Sequence, residues 1–542
     1  MRRPVLALVL LSCLMFFLGL GQQAISDADE AFYAEAAREM VEGADWLTPH
    51  FNYTDRWQKP VLYYWGAAAL YLVTGPTEGA ARFWSALSGV GLTLLTWVVA
   101  RRMRNVDAAW IAGAIVATSY GYVAIARMAL PDLPLAFFIT LTIWAALEKR
   151  WTLAGAAAGL GFLTKGPVAV VIPGIVLVPI WLRERTSGIT ARDILLGTLA
   201  FAAIGLPWYA IMTTVHGADY LRSFFVGDNL ERFATDRFNA PRTLWFYLPV
   251  VLGGMMPWSI YLLVLPWRRG VDILRARQRL AEEEWRLVIW ALVPLVFYTL
   301  SVGKQPRYVL PVLPPLAILL AHAIATRVAS GRDTVGTAAA NRGLSVATWL
   351  TAATYVIVAV VLFRARGLFI TAYPALTWIG IGALGVAAAA LARVAASHDW
   401  RRLPVVMTLS ACVVLLSIQF GALAGVRPEP VEEMAMLVRT HRTGAEPVGE
   451  YQVFVRNLVF YAGFKQVELF PEASALEFVR SSERVLLVVR EQDLPRLQAL
   501  SGVALRTLGS VAYLDPANIK LRTFLVPSPQ AHIDTVLLVT NR

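Results

Sequence analysis

The sequence predicts an α-helical polytopic membrane protein followed by a C-terminal extracytoplasmic α/β domain. Three observations lead there. Of 542 residues, 57% are hydrophobic and 16% charged, where a soluble chain carries about 25% charged residues. Apolar runs long enough to cross a bilayer recur up to about residue 425. Beyond that point the runs shorten and alternate with polar stretches.

A transmembrane helix needs about 20 apolar residues. Candidate spans lie near 4–22, 79–100, 107–126, 132–147, 151–164, 167–182, 192–212, 244–267, 286–302, 308–327, 344–363, 373–394 and 403–425, so about 13 transmembrane helices are expected. The first has the outline of a signal peptide, Met1-Arg2-Arg3-Pro4 and then an apolar run to Gly21. The run is long for a signal peptide and no A-x-A cleavage site follows it, so it reads as an uncleaved span. Cys13 and Cys412 both sit in apolar runs far apart in sequence, which argues against a disulfide or a reactive thiol.

The formal net charge of +12 would suggest a polyanionic partner in a soluble protein. Here it fits the excess of Lys and Arg in cytoplasmic loops. No zinc-finger or RNA-binding signature is present, so nucleic acid is set aside as a partner. With the N-terminus inside, every predicted inside loop is basic. These loops hold Arg101, Arg102 and Arg104; Lys149 and Arg150; Arg183, Arg185 and Arg192; Arg268, Arg269, Arg275, Arg277 and Arg279; Arg327 and Arg332; and Arg401 and Arg402. The odd number of spans puts the C-terminus outside.

Two domains are therefore expected, a transmembrane module at 1–425 and an outside domain at 426–542. Pro428 and Pro430 mark the linker. Runs such as 485–489 and 536–539 read as buried strands, and 473–481 and 492–500 as helices between them. No nucleotide-phosphate loop or internal repeat is apparent.

The outside face collects the chemistry. Its loops at about 23–78 and 213–243 are the longest. The first holds Asp27, Asp29, Glu30, Arg56, Gln58 and Lys59, and the second Asp228, Asn229, Glu231 and Arg232. Shorter turns hold Arg127 with Asp132, Lys165, and Lys304 with Arg307 and Tyr308. Each residue has a structural reading too. Asp27, Asp29 and Glu30 suit a helix N-terminus, with capping-box spacing between Asp27 and Glu30. Lys59, Lys165, Lys304 and Arg307 suit interface anchors, and Arg127 with Asp132 suits a stabilising pair at a turn. Convergence of acids and bases from five loops favours chemistry. Bases hold and neutralise a departing phosphate, and a carboxylate takes a proton from an attacking hydroxyl or positions it.

Three stretches carry a resemblance: 27–35 (DADEAFYAE), 43–52 (GADWLTPHFN) and 58–65 (QKPVLYYW). They look like the first outside loop of the bacterial aminoarabinose (lipid A) transferases, which group with the protein mannosyltransferases in the GT-C class. The segments 128–132, 228–233, 256–258 and 301–311 resemble that family as well, over roughly residues 5–330. The resemblance implies inverting transfer of a sugar, such as 4-amino-4-deoxy-L-arabinose, from a polyprenyl-phosphate donor to a lipid, glycan or protein acceptor, such as lipid A, on the periplasmic face of a bacterial inner membrane, with membrane lipids around it and the C-terminal domain in the periplasm. It implies Asp29 as the leading catalytic carboxylate, with Glu30 beside it and Asp132 as a second acid. Lys59 is implied on the lipid phosphate. Arg232, Arg307, Tyr308, Lys304, Arg127 and Gln58 are the further substrate-binding candidates.

Two positions depart from the family. Gln58 stands where relatives with this activity carry Glu, and Asn229 where a family histidine stands. The family associates those positions with a divalent metal. Neutral amides are poorer ligands than carboxylate and imidazole, so no metal ligand and no cofactor is assigned. The rival reading is a polyprenyl-lipid or glycolipid transporter or flippase, and a third is an assembly protein without activity. A transporter would favour repeats and mid-membrane polar residues. Here the polar residues gather at span ends instead.

Overall fold

The computed structural model describes residues 2–542 except 104–105, 185–188, 236–240, 266–279, 331–337, 369–372, 515–520 and 528–532. Of the basic inside-loop residues, Arg104, Arg185, Arg268, Arg269, Arg275, Arg277, Arg279 and Arg332 lie outside the described residues.

Helices form where the apolar runs stand. In chain order they begin with α1 (Arg2–Phe17), α2 (Asp29–Glu42), α3 (Leu62–Thr74), α4 (Glu78–Met103), α5 (Val106–Ala117), α6 (Tyr120–Ala126), α7 (Asp132–Leu147), α8 (Trp151–Lys165) and α9 (Val168–Glu184). Among the described residues, five helices are long and apolar enough to cross a membrane alone, and three bent pairs bring the number to eight. Of the other five expected spans, the one near 286–302 falls on the 19-residue helix Glu282–Leu300 and four fall on shorter helices. Those of α1, α7, α8 and α9 run 16, 16, 15 and 17 residues, under the roughly 20 of a full crossing. Length and composition alone therefore count fewer spans than the apolar runs suggested.

Without water to drive association, membrane helices pack through small residues that let backbones approach. α8 does this against the helix Ala191–Gly205. A Cβ on Gly155 would lie 1.9 Å from the carbonyl oxygen of Gly197, so that crossing requires glycine.

The helix ends sort into two faces. α4 and α7 end together at the ion pair of Arg102 with Glu148, 2.8 Å, and α9 ends at Glu184, which pairs with Arg286 at 2.7 Å. At the opposite end stand the start of α7 at Asp132, the end of α8 at Lys165, and the long first loop. That loop contains α2, as the sequence predicted, and a small hairpin of β1 (His50–Phe51) and β2 (Thr54–Asp55).

The C-terminal part folds as an α/β unit around a five-stranded sheet. Its strands are β3 (Val448–Tyr451), β4 (Val467–Leu469), β5 (Leu486–Arg490), β6 (Arg506–Leu514) and β7 (Ile533–Thr540), in spatial order β4-β3-β5-β7-β6. β3 runs parallel to β4 and β5, while β7 runs antiparallel to β5 and β6. β5 is buried on both faces, which explains its unbroken apolar run in place of alternation. Cys13 and Cys412 are free thiols.

Candidate active site

A cavity of about 680 Å³ opens at the loop-bearing end of the bundle. Its walls come from α2, the loop before α3, the starts of α7 and α9, the segment Arg222–Ala234, the turn at Pro306–Val312, and one residue of the C-terminal domain.

Asp29 is the first residue of α2, where a carboxylate is favoured by the unpaired backbone N–H groups of a helix start. Asp132 is the first residue of α7 and is buried. Arg307, from the turn that opens Pro306–Val312, bridges the two. Its Nη2 donates to Asp29 Oδ2, and its Nε lies 3.3 Å from Asp132 Oδ2. Lys165 Nζ, at the end of α8, completes the cluster 2.5 Å from Asp132 Oδ1. It also sits 5.0 Å from the Tyr308 ring centroid. Desolvation opposes the charge on Asp29, but Arg307, with Lys165 and Arg232 nearby, outweighs it, and the carboxyl is held below the usual range.

Lys59 occupies another part of the wall. Its Nζ donates to the Gln58 carbonyl at 2.8 Å. Desolvation first, and then the positive charges of Arg232, Lys165 and Arg56, bring its pKa down to about 7, with Asp228 opposing. Arg232 lies 3.4 Å from Asp228. Lys59 thus stands among cations without an ion-pair partner of its own among the described residues, an arrangement that an anion would relieve.

Of the ten residues singled out from the sequence, Asp29, Asp132, Lys59, Gln58, Arg232, Arg307 and Tyr308 line this cavity. Three do not. Glu30 is buried in an ion pair with Arg82 at 2.7 Å and accepts hydrogen bonds from Ser26 and the Ala129 N–H. It fastens the first loop to α4 and to the α6–α7 turn, so the catalytic expectation for it is corrected. Lys304 turns its ammonium to the carbonyl of Ser301 at 2.6 Å and that of Arg242 at 3.4 Å. It closes its own loop instead of facing the cavity. Arg127 donates to the carbonyls of Leu18 and Gly19 at 2.7 and 2.9 Å, capping the chain beyond α1. Its expected pairing with Asp132 is replaced by Lys165 and Arg307. The capping box between Asp27 and Glu30 is absent too: Ala28 is the N-cap, and Asp27 accepts the backbone N–H of Arg456 at 2.8 Å.

Sequence reasoning undervalued four cavity residues: Lys165, Asp228, Arg56 and Arg456. Lys165 precedes Gly166, whose φ of 83° ends α8 abruptly. That helix stop was the available signal that its side chain meets the next loop. Arg456 carried none.

The family's metal does not fit here. Gln58 and Asn229 both line the cavity, and each offers only a neutral amide oxygen where the family has carboxylate and imidazole, the better ligands. Among the described residues no three His, Cys, Asp or Glu side chains converge as a metal site.

Residues 8–220 match the family described as dolichyl-phosphate-mannose-protein mannosyltransferase. The undecaprenyl phosphate-α-4-amino-4-deoxy-L-arabinose arabinosyl transferase of Pseudomonas aeruginosa (strain LESB58) is 33% identical over 369 residues, 64% of each chain. The second such enzyme of Proteus mirabilis (strain HI4320) is 32% identical over 58% of each. The chain therefore matches less than two thirds of the length of these relatives. In fold the likeness extends further. The crystal structure of ArnT from Cupriavidus metallidurans bound to undecaprenyl phosphate superposes with a TM-score of 0.73 over 99% of this chain and 98% of that one, at 21% identity. The oligosaccharyltransferase of Archaeoglobus fulgidus gives 0.55 at 12% identity, over 92% of this chain and 71% of that one. In sequence the chain is similar to the aminoarabinose transferases over part of its length, and in fold it matches the GT-C membrane structures of ArnT and the oligosaccharyltransferase.

Proposed function

We propose that this protein is a glycosyltransferase that moves a sugar from a polyprenyl-phosphate donor to an acceptor on the periplasmic side of the membrane. The carrying observation is Lys59, a cation without an ion-pair partner among other cations, in one cavity with two carboxylates tied by a single arginine. Relatives named for an undecaprenyl-phosphate sugar support the donor class.

In this reading Lys59, with Arg232 and Lys165, receives the donor phosphodiester. The acceptor oxygen attacks the anomeric carbon from the opposite side as the bond to the phosphate oxygen breaks, which inverts the centre. The phosphate leaves with the electron pair, and the cations neutralise its growing charge. Asp29 is ionised at neutral pH because Arg307 and its neighbours hold its proton affinity down. It is therefore suited to orienting the acceptor and to stabilising positive charge on the sugar ring. An acceptor hydroxyl passes its proton to Asp29 late in the step, whereas an acceptor already ionised needs none removed. Asp132 keeps Arg307 and Lys165 in place. The basic face of the bundle, opposite the cavity, supports placing the C-terminal domain in the periplasm.

Reconstitution with undecaprenyl-phosphate aminoarabinose tests the reading. Asp29→Asn is expected to lower turnover about 10²–10⁴-fold. Lys59→Ala is expected to lower it about 10²–10³-fold. Unchanged transfer by both variants would overturn the assignment.

A further inference from the structure

Two guanidinium groups in the cavity wall have no part in the reaction described above. Arg56 follows the β1–β2 hairpin in the first loop, and Arg456 follows β3 in the C-terminal domain. Both line the cavity. Their guanidinium carbons lie 3.9 and 5.3 Å from the centroid of one ring, Phe32. The other cavity arginines, Arg307 and Arg232, are each matched by an aspartate, but neither Arg56 nor Arg456 makes an ion pair among the described residues. Arg56 Nε is buried without a hydrogen-bond partner. Asp27 and Glu468 lie within electrostatic range of Arg456, and Glu468 of Arg56 too, yet neither carboxylate forms an ion pair with either guanidinium.

A partly desolvated guanidinium without an anion is costly, and an anionic ligand recovers that cost. A guanidinium held against a ring can still direct two N–H groups to phosphate oxygens in bidentate contact. Two such groups beside one ring, held by separate parts of the chain, are placed to converge on one anion.

We propose that Arg56 and Arg456 form a second anion subsite, which holds a phosphate group of the acceptor. This rests on the transferase reading. The apolar lining at Leu135, Val168 and Val171 belongs to the helices, so the donor's prenyl chain lies there and its phosphate meets Lys59. Arg456 arrives from the opposite side, on the domain over the bundle end. A group that reaches it enters beneath that domain, as an acceptor does.

The test is equilibrium binding to the full chain in lipid nanodiscs, with three probes: phosphorylated lipid A, its dephosphorylated form, and undecaprenyl phosphate. Arg56→Gln and Arg456→Gln are each expected to weaken phosphorylated lipid A about tenfold. They remove its advantage over the dephosphorylated form and leave undecaprenyl phosphate unchanged. Arg456→Lys restores part of the loss, and Lys59→Ala does the converse, weakening undecaprenyl phosphate alone. The proposal is overturned if both glutamine variants bind phosphorylated lipid A as the wild type does. It is equally overturned if they lose undecaprenyl phosphate in the same proportion, or if the wild type does not prefer the phosphorylated form. Failure of the wild type to bind undecaprenyl phosphate counts against the transferase reading alone, because the lipid A comparison still decides the subsite.

Discussion

Lys59 and Glu30 sit in the same loop, and their surroundings give them opposite characters. Lys59 is charged at a cost: desolvation and neighbouring cations bring its pKa from 10.5 to about 7. A depressed lysine favours the deprotonated form in the folded protein, while the unfolded chain still binds the proton. Its protonation therefore penalises the empty fold below about pH 7, and the penalty disappears between pH 7 and 10.5. Binding a phosphodiester, whose own charge does not titrate in this range, requires the proton back. Donor affinity should be flat below pH 7 and fall up to tenfold per unit above it, as titrations from pH 6 to 9 would show. Lys59→Arg should bind with no such slope, because guanidinium stays protonated throughout. Glu30 is the reverse case. Desolvation disfavours its charge, but Arg82 outweighs this and holds the carboxyl below its usual range. Glu30→Gln leaves Arg82 buried without its counter-charge, a change worth about 3–5 kcal/mol. The expected result is a lower melting temperature and yield, with turnover per folded molecule near wild type. A large loss of turnover at unchanged stability would restore Glu30 to the catalytic set.

Helices position the site through their ends. Asp29 and Asp132 each open a helix, Lys165 closes one, and Arg307 stands in the turn before the next. This placement was legible in the sequence, because apolar runs fix where helices stop and polar residues at the stops share a face. Partners across that face were not legible. Lys304 and Arg307 are three residues apart in one turn, yet only Arg307 points inward, since Lys304 satisfies its own loop carbonyls. Arg127 and Asp132 flank one turn but separate, because the start of α7 faces α8 and the carbonyls beyond α1 are closer to Arg127. Backbone contacts set the remaining geometry. A Cβ at Gly303 would lie 2.2 Å from the Arg232 carbonyl oxygen, a backbone atom that must shift to admit it. Gly303→Ala should displace Arg232 and weaken donor binding about tenfold, with the melting temperature lowered by only a few degrees. Undecaprenyl-phosphate affinity and a thermal melt together check it.

Across the whole molecule, the C-terminal domain is fastened to the first loop by hydrogen bonds that no sequence pattern announced. Asn52 and Gln466 exchange a reciprocal pair, 2.9 Å from the Asn52 amide to the Gln466 carbonyl and 2.8 Å from the Gln466 N–H back to Asn52. The Asn457 amide donates to the Ile25 carbonyl at 2.9 Å. Tyr461 accepts from the Ile25 N–H at 2.8 Å and donates to Glu78 at 2.9 Å. Asp29 and Lys59 both belong to the loop so held, and the domain therefore acts on the cavity by limiting the freedom of its wall. Each bond contributes about 1 kcal/mol net, so removing the two bonds of Asn52 and the one of Asn457 should lower the free energy of local opening by about 3 kcal/mol, or roughly 100-fold in exchange rate. The double variant Asn52→Ala with Asn457→Ala should then raise amide hydrogen exchange across residues 23–60, leaving α4 and α7 protected as before. Transfer should fall in proportion, because the loop must be closed for Asn52, Asp29 and Lys59 to share one frame. Exchange that rises equally in α4 and α7 would show that the domain supports the entire bundle. Exchange that does not rise at all would show that apolar contact, not these bonds, holds the loop.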